Sequence, residues 1–307
     1  MGDSTLMRVT DLTKHYGDVR AVDGVSFAVP NAAVFTLLGP NGAGKTTTLE
    51  ILEGIREADA GEIEIFGARL RHVDRATKQR MGVLLQEGNF EPYLKAREVI
   101  TLFASFFRNA RPVDEMLERV ALTEKANTYV KHLSGGQKQR LAIGAALVNS
   151  PELVFLDEPT TGLDPQARRN VWSVVADLKS TGVAIVLTTH YMEEAEALSD
   201  LVCIMDNGKL IAEGSPRELA ARLNQETIIE FAADGVQDDD LVPLHACCAA
   251  VRSGEDLVSV ETENLVATMG SLLEWSKERD LPLANMTVRQ PNLEDVFLSL
   301  TGRRLRE

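Results

Sequence analysis

Cysteine is scarce in this chain and badly placed for chemistry. Cys203 stands alone and Cys247 and Cys248 are adjacent, so no CxxC pair and no metal-ligand spacing exist. The reading is buried or incidental thiols in a reducing cytosol. Positive charge is also short: 32 Lys and Arg face 46 Asp and Glu, for a net charge of −14. That balance argues against a nucleic-acid surface, which needs clustered cations against the phosphate backbone. Long apolar runs are missing too. Runs such as "GVAIVLTT" at 182–189 fall far short of the roughly 18 to 20 residues of a membrane span. The N-terminus shows no basic-then-apolar signal segment, so a soluble chain is expected. There is no internal repeat and no low-complexity tract. What is present is ordinary for a folded protein: 307 residues, 44% apolar and 25% charged, enough for one large domain or a large one with a small one.

Two regions follow from the pattern. Up to residue 223, short apolar runs rich in β-branched residues alternate with helical stretches: "VFTLL" (34–38), "RMGVLLQ" (80–86), "LVFLDE" (153–158) and "VAIVLTT" (183–189). Runs of this kind predict a buried, largely parallel sheet. The more alternating runs "RVTDLTKHY" (8–16) and "GVSFAV" (24–29) predict an antiparallel layer at its edge. "DNGKL" (206–210) carries the Asn-Gly of a tight hairpin, and "SPRE" (215–218) starts a short closing helix with Pro at its first position. Residues 224–307 read differently. An acidic, loop-like stretch (233–243) precedes a strand at 257–262, an amphipathic helix across 264–279, a strand at 285–290 and a helix from Asn292. The expected fold is therefore an α/β nucleotide-binding domain over 1–223 with a small α+β accessory domain over 224–307.

The chemistry concentrates in the first region. "GPNGAGKTT" (39–47) follows one strand and opens a helix, the context in which GxxxxGK[ST] means a phosphate loop. Gly39, Pro40, Asn41, Gly42, Ala43 and Gly44 would wrap backbone N–H groups around phosphates at a helix N-terminus. Lys45 would reach the β- and γ-phosphates, the Thr46 hydroxyl would ligate Mg²⁺, and Thr47 completes the loop. "LVFLDEP" (153–159) ends a strand in two carboxylates, whose side chains leave on opposite faces and so cannot share a task. Asp157 suits the metal shell and Glu158 suits the activation of water. Gln86 and His190 also end predicted strands, and parallel α/β sheets gather ligand sites at the carboxyl ends of their strands.

"LSGGQ" (133–137) offers a hydroxyl, two flexible glycines and another helix N-terminus, a second set of phosphate ligands: Ser134, Gly135, Gly136 and Gln137. With the first loop occupied by its own nucleotide, this set must face one held elsewhere. The simplest candidate is the nucleotide of a second copy in a symmetric dimer.

Taken together, the phosphate loop, Gln86, "LSGGQ", "LVFLDEP", the turn "GLDP" (162–165) and His190 resemble the ATP-binding subunit of an ABC transporter over roughly residues 6–223. The resemblance implies ATP and Mg²⁺ as cofactors, with Thr46, Gln86 and Asp157 at the metal. It implies Tyr16 stacked on adenine and Asp164 in the dimer seam. Glu158, His190 and Lys45 are implied as the catalytic residues. It also implies a homodimer seated on separate integral membrane permease subunits at the cytoplasmic face. The tail "PNLEDVFLSLTGRRLRE" (291–307), with "TTTLEILEGI" (46–55) and "EVITLFASFF" (98–107), resembles the drug- and polysaccharide-exporter branch, of daunorubicin-resistance type.

Two departures stand out. Where relatives carry a Gly-Glu turn and a further Gly before the phosphate strand's end, this chain has Asn31-Ala32-Ala33 and Thr36, which puts the turn geometry in question. Leu201 replaces a residue that is basic in many relatives. Other purposes for such an ATPase remain open at this level: DNA or ribosome work, a cofactor-assembly scaffold, or an importer. Gln86 and Leu133 are only 47 positions apart and one motif set is present, which disfavours the coiled-coil DNA-repair members and the two-cassette ribosomal ones.

Overall fold

The alternating N-terminal runs pair as a hairpin in the computed structural model, which describes residues 5–70, 73–84, 90–223, 227–232, 236, 238–244, 250–253, 257–279, 281 and 283–302. β1 (Thr5–Tyr16) and β2 (Val19–Pro30) run antiparallel. β3 (Val34–Leu38) then leads through the phosphate loop into α1 (Lys45–Leu52). β4 (Ala60–Ile65) and β5 (Ala68–Leu70) complete a four-stranded antiparallel sheet in the order β2-β1-β4-β5. After the short α2 (Arg75–Lys78) come β6 (Met81–Leu84) and the helices α3 (Ala96–Ala104), α4 (Val113–Arg119) and α5 (Gly135–Ala146). Then follow β7 (Leu153–Asp157), α6 (Pro165–Ser180), β8 (Ala184–Thr189), α7 (Met192–Leu198) and the hairpin β9 (Leu201–Asp206) with β10 (Lys209–Gly214).

The second sheet has six strands in the order β10-β9-β3-β8-β7-β6, parallel except for β10. Every residue of β3, β7 and β8 is buried, which is why those segments read as continuous apolar runs. The pleat divides them between two cores. Phe35, Leu37, Phe155 and Val186 face the antiparallel layer and α1, where Phe27 stacks on Phe35 with centroids 4.7 Å apart. Val34, Val154, Leu156, Ile185 and Leu187 face the other way, onto Ile100, Leu117, Leu141 and Val175 of the helices. Each such fully buried side chain stabilises the fold by about 1.5–3 kcal/mol.

The questioned turn survives the loss of its glycine. Ala32 takes φ +51°, a left-handed conformation that an alanine adopts at a cost of about 1–2 kcal/mol. Thr36, fully buried, meets Ser199 with hydroxyl oxygens 2.6 Å apart, so its extra polar atom is satisfied.

The Asn-Gly hairpin forms as expected, with Asn207 at φ +47° and Gly208 at φ +78°. Its tip does more than turn the chain. The Gly208 N–H donates to Ala43 O at 3.0 Å and its carbonyl accepts from the Asp23 N–H at 2.9 Å. The turn is thereby a bridge between the phosphate loop and β2.

A second compact unit begins at Pro216, so α8 (Pro216–Ala221), which the sequence reading places last in the first region, is the first element of this unit and packs against its final helix. β11 (Thr227–Ala232), β12 (Ala250–Ser253), β13 (Leu257–Thr262) and β14 (Thr287–Arg289) form an antiparallel sheet in the order β12-β13-β11-β14, with a short α9 (Asp238–Leu241) between β11 and β12. α10 (Leu265–Arg279) contributes Leu272 and Trp275 to a core with Phe231, Val258 and Val260. α11 (Leu293–Thr301) starts from Asn292, whose side chain accepts from the Glu294 and Asp295 N–H groups. The stretches 233–235 and 245–249, with Cys247 and Cys248, lie outside the described residues; Cys203 is buried, and burial pushes its thiol pKa up.

Candidate active site

Parallel pairing brings the strand ends together. Leu38 is in register with Thr189, and Asp157 with Thr188, so Gly39, Glu158 and His190 emerge at one edge of the sheet. Gln86 lies outside the described residues.

The phosphate loop is shaped by close backbone approach. A Cβ at Gly39 would lie 2.1 Å from Met205 O, and one at Gly44 would lie 2.1 Å from Ala21 O; no side chain fits at either place. Gly42 has φ +82° with open space around it, and the Ala43 N–H donates to Pro40 O at 3.1 Å. Gly44 precedes α1 at φ +103°, and no side chain caps that helix. Among the described residues its first N–H groups have no side-chain acceptor, which is what an anion requires. Asn41 is exposed and Thr47 half-buried.

Lys45 is buried and curls back over the loop, donating to Gly39 O at 2.8 Å and Pro40 O at 3.1 Å. Its Nζ lies 3.4 Å from Glu158 Oε1. Burial lowers its pKa, opposed by the nearby Glu158 and Asp157 carboxylates.

The two carboxylates diverge as the alternation demands. Asp157 is buried and accepts from Thr46 Oγ1 at 3.4 Å and from Thr188 Oγ1. Burial raises its pKa against those hydrogen bonds. Glu158 sits just past the strand at φ +45°, a strained conformation of the kind that costs about 1–3 kcal/mol and persists where the surroundings enforce it. Here its N–H is held by Thr188, at 3.0 Å from Oγ1 and 3.1 Å from the carbonyl oxygen. Burial works to raise the Glu158 pKa, yet Lys45, His190 and the Thr161 hydroxyl together hold it below the ordinary value. Thr161 Oγ1 donates to Oε2 at 3.1 Å. His190 Nδ1 approaches the same oxygen at 3.2 Å in a geometry that falls short of a hydrogen bond.

The donor set beside Lys45 fits Mg²⁺. Thr46 and Asp157 present hard oxygens, and among the described residues the hydrogen bonds to the buried Asp157 carboxyl come from hydroxyls, where a cation would relieve its charge. Two ligands of this sort, with phosphate oxygens, are what Mg²⁺ takes in nucleotide sites. Among the described residues no group of three or more His, Cys, Asp or Glu could hold a metal by itself.

A second group forms around "LSGGQ". Ser134 caps α5, accepting from the Gln137 N–H at 3.3 Å while its own N–H donates to Gln137 Oε1 at 2.9 Å. Asp164 caps α6, accepting from the Gln166 and Ala167 N–H groups at 3.0 and 2.9 Å. The two helix starts pack tightly: Gly135 borders Leu163, and a Cβ at Gly136 would lie 2.7 Å from Ala167 Cβ. Among the described residues no side-chain hydrogen bond joins Ser134–Gln137 to the phosphate loop. Tyr16, at the end of β1, is 41% exposed, with the Arg56 guanidinium 5.3 Å and the Lys14 ammonium 5.8 Å from its ring centroid.

Sequence reasoning missed Thr188 and Thr161, which hold Asp157 and Glu158. The signal available was the pair of threonines ending an otherwise apolar strand, and the two threonines after "DEP".

Comparison with known proteins agrees with this geometry. The family model described as "ABC transporter" matches residues 22–161. The Nod factor export ATP-binding protein I of Ralstonia nicotianae is 40% identical over 322 residues, covering 100% of this chain and 97% of that protein. The linearmycin resistance ATP-binding protein LnrL of Bacillus subtilis is 36% identical over 311 residues, covering 98% of this chain and 100% of that one. Among solved structures, an ATP-binding cassette captured as a dimer in a post-hydrolysis state with ADP and Pi superposes with a TM-score of 0.61 at 25% identity, over 68% of this chain and 98% of its own. Among the described residues no helix is long and apolar enough to cross a membrane. The chain thus belongs to the ABC transporter family as one of its ATP-binding subunits, an ATPase.

Proposed function

We propose that this subunit powers export, hydrolysing ATP at an interface shared by two copies and driving separately encoded permeases from the cytoplasmic face of the membrane. The relatives named for Nod factor export and for linearmycin and daunorubicin resistance support export over import.

One observation carries the catalytic assignment: a single buried carboxylate, Glu158, lies between the Lys45 ammonium and the His190 ring, beside the Thr46–Asp157 pair. In the reaction, Lys45 leaves Glu158 for the β- and γ-phosphates. Glu158, kept ionised, accepts a proton from the attacking water. His190 holds that water and the γ-phosphate in line, and the loop N–H groups receive the charge that develops on the phosphate oxygens. Thr46 and Asp157, with Gln86, would hold Mg²⁺, which would supply charge neutralisation at the phosphates. Tyr16 stacks on adenine. Ser134, Gly136 and Gln137 engage the γ-phosphate bound by the second copy, and Asp164 lies in the seam between copies.

The test is capture of tagged Glu158→Gln with ATP from detergent-solubilised membranes of the native host. Recovery of a multi-span membrane protein is expected. Recovery of only ribosomal, DNA-bound or soluble assembly proteins sinks the transport reading while leaving the ATPase intact.

A further inference from the structure

The residues around His190 include a stack that the reaction as described does not use. The His190 and Tyr191 rings lie face against face at a tilt, with centroids 4.1 Å apart and planes at 42°. On Tyr191 lies the Arg168 guanidinium, its Cζ 4.4 Å from the ring centroid. Arg168 belongs to the first turns of α6, one residue after Ala167, the alanine that fills the space left by Gly136 at the start of α5. Arg168 also acts electrostatically on the buried Glu194 carboxylate. The ion pair with Glu193 spans 3.6 Å to a largely exposed carboxylate, and its Nε is buried without a hydrogen-bond partner among the described residues. The guanidinium lies on the aromatic face beneath it, a geometry that favours Arg over Lys because the delocalised plane can lie flat.

We propose that Arg168 and Tyr191 are positioning residues for His190: Arg168 clamps the Tyr191 ring, and the ring fixes the imidazole over Glu158. The aromatic contact of that imidazole among the described residues is the Tyr191 ring. On the Glu158 side, Nδ1 has no hydrogen-bond partner among the described residues, so the 3.2 Å approach to Oε2 does not by itself fix the ring. Because Arg168 rides on α6, the placement of His190 follows the helix whose first turn touches Gly136. The histidine of one nucleotide site is thereby mechanically tied to the glycine pair that serves the other. This inference rests on the role proposed above for His190.

The experiment compares Arg168→Ala, Arg168→Lys, Tyr191→Phe and Tyr191→Leu with His190→Ala, in the full chain. It reads turnover at saturating ATP, KM for ATP, and the imidazole resonances of ¹³C-labelled histidine, with the His190 signal identified by its loss in His190→Ala. Removal of the clamp is expected to lower kcat by between about ten- and a hundredfold, the effect of misplacing a reacting group by about 1 Å, with KM little changed. Tyr191→Phe keeps the ring and most of the turnover, and Arg168→Lys recovers only part of it. In Arg168→Ala the His190 resonance moves although Arg168 does not touch the imidazole, while the other four histidines stay in place. If His190→Ala itself turns over normally, the role given to His190 fails. If His190→Ala is impaired but Arg168→Ala leaves both kcat and the His190 resonance unchanged, the clamp alone is refuted. Should Arg168→Ala fold poorly, Arg168→Lys and Tyr191→Leu answer the same question.

Discussion

Lys45 Nζ and Glu158 Oε1 lie 3.4 Å apart, both side chains almost fully buried. The two groups neutralise each other where water cannot, so each holds the other's charge in place. On the roles proposed above, arrival of ATP exchanges this partner of Lys45 for phosphate oxygens and leaves Glu158 free to act on water. In that proposal the same pair is both a stand-in for the ligand and the source of the base.

Glu158→Gln tests that exchange. The amide cannot accept the proton, and it also releases Lys45 from its anionic partner. Hydrolysis should fall by about 10²–10⁴-fold, while ATP affinity rises and the ATP-bound dimer accumulates. Single-turnover assays and size-exclusion chromatography with ATP read both arms. Near-normal turnover would falsify the assignment of Glu158.

Lys45→Ala should behave in the opposite sense. ATP affinity drops by tenfold or more, since a charge-assisted contact to phosphate is worth about 1.5–3 kcal/mol. The Glu158 carboxylate, stripped of its buried partner, should titrate at a higher pH. Unchanged ATP binding by calorimetry contradicts the loop's role.

Glu53, at the end of α1, gives a stability prediction. It is 5% exposed, with one carboxyl oxygen lacking a partner among the described residues. Burial, with repulsion from Asp157 and Glu50, pushes its pKa up to about 8. An acid whose folded pKa is raised holds its proton longer in the native state than in the unfolded one. Stability is therefore lost as pH rises from the ordinary carboxylate value to about 8, and is level above it. The loss should be of order 3 kcal/mol by pH 7. Glu53→Gln should flatten this slope and be the more stable protein at pH 8. Denaturant midpoints from pH 5 to 8.5 decide it; parallel curves for the two proteins count against the buried acid.

Ala32→Gly should stabilise the fold by about 0.5–1 kcal/mol. Relief of the left-handed alanine, about 1–2 kcal/mol, exceeds the extra freedom glycine has when unfolded, about 0.4–1 kcal/mol. A midpoint shifted to lower denaturant contradicts this account.

Much of the site could be read from residue order because its parts are local. The loop Gly39–Thr47, the strand ending at Asp157 and the capped start at Ser134 each need only their own neighbours. Buried parallel strands announce themselves as unbroken apolar runs, so β3, β7 and β8 were legible to within a residue. β4, β5, β11 and β12 were not, since short or partly exposed strands gain their stability from partners far along the chain. The positive φ of Glu158 was equally hidden, because it is imposed by Thr188 from another strand. Likewise Thr36 looked like a misplaced residue until Ser199 supplied its partner. Nothing in "RRNVW" or "THYME" alone hints that Arg168 lies on Tyr191.

The Gly208 bridge bears on how fast this protein can take up its fuel. A loop buttressed by Met205, Ala21 and the turn at Asn207–Gly208 has little room to change shape. Capture of nucleotide then waits on encounter rather than on a slow rearrangement of the receiving backbone. Loosening that turn would show first as a slower arrival of ATP, with the chemical step that follows left untouched.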